Sequence, residues 1–258
     1  MGAPGTDRVH VRNTEPRDFA QIGELCGCVY PNEAPWTPEQ LASHLRVFPE
    51  GQFVALDREG NRVVGMSANL IVRWARYDEF DSWEDFTADG MFTNHDPVHG
   101  RTMYGAEAIV DPTLQGHGIG GKLYATRREL IERLGIPRIR GGARLRSYHI
   151  YADRMSAADY VVKVVHGELH DQTLGFQLHE GFHVLAVVPH YLSKDPETLG
   201  YAALIEWLNP KMLEPHHVVD RPTRFLHKDV AAQQLRGGSG DKRIVRGLSP
   251  GGGDLGGG

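Results

Sequence analysis

A chain of 258 residues, 40% hydrophobic and 24% charged, has an ordinary soluble composition and can bury one sizeable core. A formal charge of -5 does not suggest a nucleic-acid-binding domain, which usually carries a basic field, and leaves room only for a local basic patch. No apolar run approaches the roughly 18 residues of a membrane helix, and Met1 to Arg8 lacks the apolar stretch of a secretory signal. The 2 cysteines, Cys26 and Cys28, are too close in sequence for a sound mutual disulfide. They read as two buried thiols on a helix in a reducing, cytoplasmic setting, and their spacing is a weak metal signal.

In chain order, Val9 to Arg12 reads as a strand. Thr14 is then expected to cap a helix whose Phe19, Ile22 and Leu25 share one face and which Pro31 ends. Thr37-Pro38 starts a second helix, through Leu41 and Leu45 to about Val47. Gln52 to Leu56 and Arg62 to Val72 read as a hairpin. The pattern is lost from Trp74 to Arg101, apart from one helical turn at Asp81, Trp83 and Phe86. A loop of that length is uncommon without a role, and Trp74, Tyr77, Asp78, Trp83 and Glu84 could receive a cationic acceptor there. Met103 to Val110, Gly120 to Leu134 and Arg138 to Leu145 then form strand, helix and strand. This is one βαβ unit with parallel strands and a right-handed crossover.

Helices are expected at Ser156 to Val165 and at Gln172 to Glu180. A final hairpin pairs Phe182 to Leu192 with Tyr201 to Trp207. The domain plan is therefore a flexible 1–8, one folded domain over 9–210, an extension over 211–235 with a short helix at Val230 to Leu235, and a disordered glycine-rich tail over 236–258.

The chemistry sits between the first strand and the helix of the βαβ unit, in Val110-Asp-Pro-Thr-Leu-Gln-Gly-His-Gly-Ile-Gly-Gly-Lys122. Glycines allow close backbone approach, and free N–H groups at a helix start make an anion site suited to a pyrophosphate. Gly116, Gly118 and Gly121 fit the dinucleotide pattern G-x-G-x-x-G. Arg138 and Arg140, however, stand where that pattern wants an acid for the ribose. Gly116, Gly121 and Lys122 fit a P-loop, but Leu123 replaces the Ser or Thr that would hold magnesium.

The remaining fit is Gln115-x-x-Gly118-x-Gly120, preceded by Val110-Asp111-Pro112 and followed, after the last helix, by Gly181-Phe182. In these features the chain resembles the GNAT superfamily of N-acetyltransferases from about Val9 to Leu208. The stretches Gly142 to Met155 and Gly200 to Trp207 look like a bacterial subgroup, some members of which are fused to a nitrilase-type amidohydrolase domain. No such domain is expected in this chain.

The resemblance implies a mixed α/β fold with a central mixed, twisted sheet, whose βαβ unit carries the coenzyme A loop. It implies acetyl-CoA as co-substrate, no metal, and direct attack by a primary amine of a small molecule or peptide. It also allows a homodimer, and an amidohydrolase partner by analogy. The implied cofactor-binding residues are Ile109, Val110, Gln115, Gly116, His117, Gly118, Ile119, Gly120 and Gly121, with a backbone N–H of Ile109 or Val110 polarising the acyl carbonyl. Fourteen histidines show no convincing zinc spacing.

The proton-transfer groups are less defined. Glu107 is the only carboxylate within its strand, and is either the base or a solvated charge. Strict alternation would turn it away from Tyr104 and Ala106. Glu107, Tyr104 and Tyr148 are the candidate catalytic residues, with His149 and Tyr151 near Tyr148. The family's acid is often a Tyr four residues before Gly-Phe. Gln177 stands there, and the family's Asn on that helix is also missing, with His170 and Asp171 in its region. These departures leave two rivals: a non-catalytic acyl-CoA-binding module and, on the glycines alone, a nucleotide-binding oxidoreductase.

Overall fold

The computed structural model describes residues 9–214, apart from positions 58, 60, 79, 193 and 194, together with 222–226. The segments 1–8 and 236–258 and the expected helix at Val230 to Leu235 lie outside these residues. Strands β1 (Val9–Asn13), β2 (Phe53–Asp57), β3 (Val63–Val72), β4 (Thr102–Val110), β5 (Arg138–Arg144), β6 (His183–Val188) and β7 (Ala202–Leu208) form one sheet in the order β1-β2-β3-β4-β5-β7-β6. Among the described residues only the β4–β5 pair is parallel.

Helices α1 (Phe19–Val29) and α2 (Pro38–Val47) and the short α3 (Trp83–Thr87) pack on one face. Ile22, Leu25, Trp36, Leu41 and Phe86 meet Met66, Leu70, Tyr104 and Ile109 there. Helices α4 (Ile119–Leu134), α5 (Ala157–Val165) and α6 (Gln172–His179) serve the other face. There Leu123, Leu130, Ile131, Tyr160, Val161 and Leu174 meet Val64, Met103, Ile139 and Ala143. No helix among the described residues is long and apolar enough to cross a membrane.

Two local expectations need correction. Thr14 does not cap the first helix, because its N–H is still tied to the sheet through Gln52 O at 3.0 Å. The cap moves to Glu15, whose capping box closes with Asp18 over a turn at Pro16–Asp18. Arg12 fixes the Asp18 carboxylate with two bonds of 2.7 and 2.8 Å. The cysteines are not both buried. Cys26 lies in the core and Cys28 is exposed, since residues two apart on a helix face different ways.

The feature that positions the site is the junction of β4 with β5. Their pairing is limited to Met103↔Ile139 and Tyr104↔Arg140, after which the strands separate. Gly105 and Gly141 sit at the fork, where a Cβ on Gly141 would come within 2.9 Å of Gly105 O. On its other edge β4 carries a bulge. Ala68 pairs with Glu107 and Asn69 with Gly105, which leaves Ala106 unmatched.

One packing contact at the fork is directly testable. A Cβ on Gly142 of β5 would meet the Tyr191 ring at 2.1 Å. Overpacking of that kind costs about 1–3 kcal/mol, so Gly142→Ala is expected to lose that much stability in urea denaturation. An unchanged midpoint would show that Tyr191 is free to move aside.

Candidate functional site

The fork opens onto a cleft on each face of the sheet. The cleft on the α4 face has a volume of ≈ 490 Å³. Its floor is the free edge of β4 at Ala108 and Val110, and its walls are the start of α4 and the side of α6. Asp111 N–H bonds Val64 O at 2.9 Å, so in the alternating antiparallel ladder Ile109 also bonds toward β3. Ala108 and Val110 therefore turn their backbone polar groups toward the gap left by β5.

At the mouth of this cleft the chain reverses through Gly116 (φ 78°) and Gly118 (φ 76°), left-handed conformations that favour glycine. The first intrahelical bond of the 16-residue α4 runs from Lys122 N–H to Gly118 O at 3.2 Å. The N–H groups of Ile119, Gly120 and Gly121 precede it and carry the positive end of the helix dipole. Gln115 accepts from Gln172 Nε2 at 2.6 Å, and Gln172 in turn accepts from Arg146 at 2.8 Å. This side-chain chain brings a cation to the same mouth. Deeper in, Tyr124, Phe176 and Gln177 line the wall. The Gln177 amide donates to Tyr124 Oη at 3.0 Å, and its Oε1 is buried with no hydrogen-bond partner among the described residues.

The cleft on the α1 face has a volume of ≈ 340 Å³ and is lined by Tyr30, Glu33, Trp36, Trp83, Glu107 and Arg144, among others. The bulge corrects the expectation from strict alternation. With Ala106 as the extra residue, Glu107 shares a face with Tyr104 and Ala106 instead of opposing them. Trp83 Nε1 holds the bulge by donating to Ala106 O at 3.0 Å. The Glu107 carboxylate accepts from Tyr30 Oη at 3.2 Å and from Ala108 N–H at 3.1 Å. It thus stands beside the gap, one residue from the floor of the other cleft.

Burial raises the Glu107 carboxyl above the ordinary value of 4.5, and Glu33 adds to the rise. Arg144, the Tyr30 hydroxyl and Ala108 N–H oppose it. Arg144 lies 4.4 Å from the Tyr30 ring centroid and pairs with Asp195 at 2.7 Å and Glu33 at 3.3 Å. Burial, helped by Glu107, pushes the Cys26 thiol up to about 12, which makes it a poor nucleophile.

Of the expected cofactor residues, Val110, Gln115, Gly116, Gly118, Ile119, Gly120 and Gly121 line the α4-face cleft. Ile109 does not, because its side chain is buried on the opposite face. His117 is exposed, with Nδ1 3.0 Å from Gln115 O. Ala108, Tyr124 and Arg146 were not anticipated.

Among the expected catalytic residues only Glu107 reaches a cleft. Tyr104 is fully buried and its hydroxyl is bonded to that of Tyr191. Tyr148 is packed on Tyr160 and Tyr201, and its hydroxyl donates to Met155 O at 3.2 Å. His149 bonds Glu197 O at 3.0 Å, and Tyr151 packs on Tyr160. Of the long loop's aromatic residues, Trp83 faces the cleft, whereas Trp74 and Tyr77 stack on Phe86 in the core.

The rival glycine motifs lose their remaining support. Lys122 Nζ bonds Val9 O at 2.7 Å. Arg138 and Arg140 pair across the sheet with buried Glu206 at 3.3 and 2.8 Å. Among the described residues no group of three His, Cys, Asp or Glu is placed to hold a metal.

No family model matches the chain. Two proteins of Bacillus subtilis (strain 168) are similar to it. The probable hydrolase YhcX is 40% identical over 199 residues, which is 77% of this chain and 38% of that protein. The chain therefore spans well under half of that relative's length. The uncharacterized N-acetyltransferase YkwB is 38% identical over 180 residues, which is 70% of this chain and 78% of that protein.

Among solved structures, the loading GNATL domain of CurA from Lyngbya majuscula superposes with a TM-score of 0.65 at 18% identity, covering 78% of this chain and 98% of that one. The GphF GNAT-like decarboxylase in complex with isobutyryl-CoA superposes with a TM-score of 0.64 at 21% identity, covering 78% and 99%. These two likenesses show the fold, and the identity to YkwB over most of both chains shows the family. The chain belongs to the GNAT superfamily of N-acetyltransferases.

Proposed function

We propose that the chain transfers an acetyl or related acyl group from acyl-CoA to a primary amine, by direct attack in a ternary complex. The observation that carries this reading is the pair of clefts lined by the adjacent residues Ala108 and Glu107 beside the β4–β5 gap.

The α4-face cleft fits coenzyme A. Ile119, Gly120 and Gly121 present free N–H groups for the pyrophosphate, with Gly116 and Gly118 letting the loop wrap it. The edge of β4 can pair with an extended pantetheine arm as a strand would. The unpartnered Gln177 Oε1 suits one of its amide N–H groups. The similar GphF GNAT-like decarboxylase is seen in complex with isobutyryl-CoA, which supports the same reading.

The α1-face cleft would take the amine between Tyr30, Trp36 and Trp83, with Glu107 as base. An alkylamine is almost wholly protonated at neutral pH and must lose a proton before attack. A carboxylate raised by burial is better matched to that task than an exposed one. The N–H of Ala108, now bonded to Glu107, would polarise the acyl carbonyl as the amine approaches.

Thermal unfolding with acetyl-CoA, CoA, NAD and ATP is the test of the ligand. At 100 times its dissociation constant a ligand adds about 2.7 kcal/mol, and the expected result is a shift of several degrees with acetyl-CoA and CoA alone. A shift with NAD or ATP only would overturn the reading. Binding of CoA without thiol release across a panel of primary amines would favour a non-catalytic module.

Glu107 carries its own prediction. The folded state holds this proton more tightly than the unfolded chain. Folding therefore takes up a proton above pH 4.5, and the stability cost of the ionised group grows as pH rises through the folded value. Glu107→Gln should thus be more stable than the wild type at about pH 8, with the advantage fading by about pH 4. It should also lose about 10²–10⁴ in turnover. Urea denaturation at the two pH values checks the first part, and a variant less stable at about pH 8 would contradict it.

A further inference from the structure

Gln177 occupies the helix position where the family often has its acid, yet the phenol beside it belongs to another helix. Tyr124 comes from α4 and is 4% exposed in the wall of the coenzyme cleft, which Ala108 also lines. Phe176 and Phe182 fix its ring edge-on at 5.2 and 5.5 Å. Gln177 Nε2 donates to its oxygen, which leaves the phenol's own hydrogen free to be given to something else.

A buried cation stands behind this ring. The Arg127 guanidinium lies 4.9 Å from the Tyr124 centroid and is 3% exposed. Its Nε donates to Ser67 Oγ at 2.7 Å, and its NH2 group to Glu107 O at the bulge. Glu107 is the carboxylate whose charge reaches it.

Given the acyl-transfer reading above, we infer that Tyr124 donates the proton taken by the departing coenzyme sulfur, with Arg127 and Gln177 as its positioning residues. As the amine's lone pair forms the C–N bond, the C–S bond breaks and its electron pair passes to sulfur. The Tyr124 hydroxyl proton follows to give the free thiol. Glu107 takes the proton that nitrogen loses, and that proton returns to the Tyr124 phenolate through solvent. Counted from the ammonium, two protons leave nitrogen: the one lost before attack passes by way of Glu107 to solvent, and the other replaces the proton that Tyr124 gives to sulfur, so the residues end as they began.

A binding experiment tests this without knowledge of the amine. Calorimetric titration of the full chain with CoA and with desulfo-CoA compares ligands that differ only in the sulfur. The wild type is expected to bind CoA about tenfold more tightly, the worth of one hydrogen bond to a charged or polarisable acceptor. Tyr124→Phe should abolish that preference while leaving desulfo-CoA affinity unchanged. Gln177→Leu, which keeps the phenol but removes its holder, should reduce it.

A wild type that does not distinguish the two ligands would overturn the assignment with no variant needed. So would a preference that survives in Tyr124→Phe. Failure of the wild type to bind either ligand would instead overturn the coenzyme reading on which the assignment rests.

Discussion

Two strands that begin parallel and then part decide what this molecule can do. Among the described residues β4 and β5 pair at Met103–Ile139 and Tyr104–Arg140 and not beyond. A parallel sheet normally buries its hydrogen-bonding edges completely. Here the edge of β4 past Gly105 is left without a strand partner, and backbone polar groups without partners are costly when removed from water. An extended ligand with alternating donors and acceptors would resolve that cost. The glycines at the fork permit the close approach before the strands separate, since a Cβ on Gly141 would collide with Gly105 O.

The gap is held open by polar groups inside the sheet's own packing. Arg127 reaches from α4 to Ser67 on β3 and to the Glu107 carbonyl on β4, while Asn69 Nδ2 bonds both Ser67 Oγ at 3.1 Å and Gly51 O at 2.6 Å. Gln52 closes the network onto Asn69 O at 2.8 Å. Hydrophobic residues could fill this space with less desolvation. What the network provides is a fixed position for the bulge, because Arg127 grips the carbonyl of Glu107 from one face as Trp83 grips that of Ala106 from the other. Between those two bonds the backbone has little freedom, and the Glu107 carboxylate is held at the rim of the gap.

The sequence made the coenzyme loop legible because its requirements are local. Gly116 and Gly118 must take left-handed conformations, Gly120 must leave room for Phe176, and a helix must begin at once. Each demand selects a residue at a fixed offset from its neighbour. The order of strands and helices was legible for the same reason, through caps such as Thr37 with Gln40 and stops such as Gly135. What could not be read was the side on which Glu107 lies. Period-two reasoning assumes an unbroken ladder, and the bulge adds one residue whose only sequence trace is the small Gly105-Ala106 pair. Tyr148 was misleading in a related way. It follows β5 at the right place for a ligand site, yet a neighbouring pair of tyrosines draws it into the core.

Tyr124 shows why a missing family residue is a poor argument for missing chemistry. Residue 177 and residue 124 are remote in sequence, on different helices, but their side chains share one hydrogen bond across the cleft. A proton donor needs a hydroxyl at a point in space, and either helix can place one there. Exchanging the donor's helix alters its electrostatics as well. On α4 the phenol sits three residues from Arg127 and so on the same helix face. The guanidinium that fixes the bulge beneath Glu107 is then the one that packs on the Tyr124 ring. Base and acid, on opposite faces of the sheet, would be coupled through a single buried guanidinium, and a change at Arg127 would be felt at both.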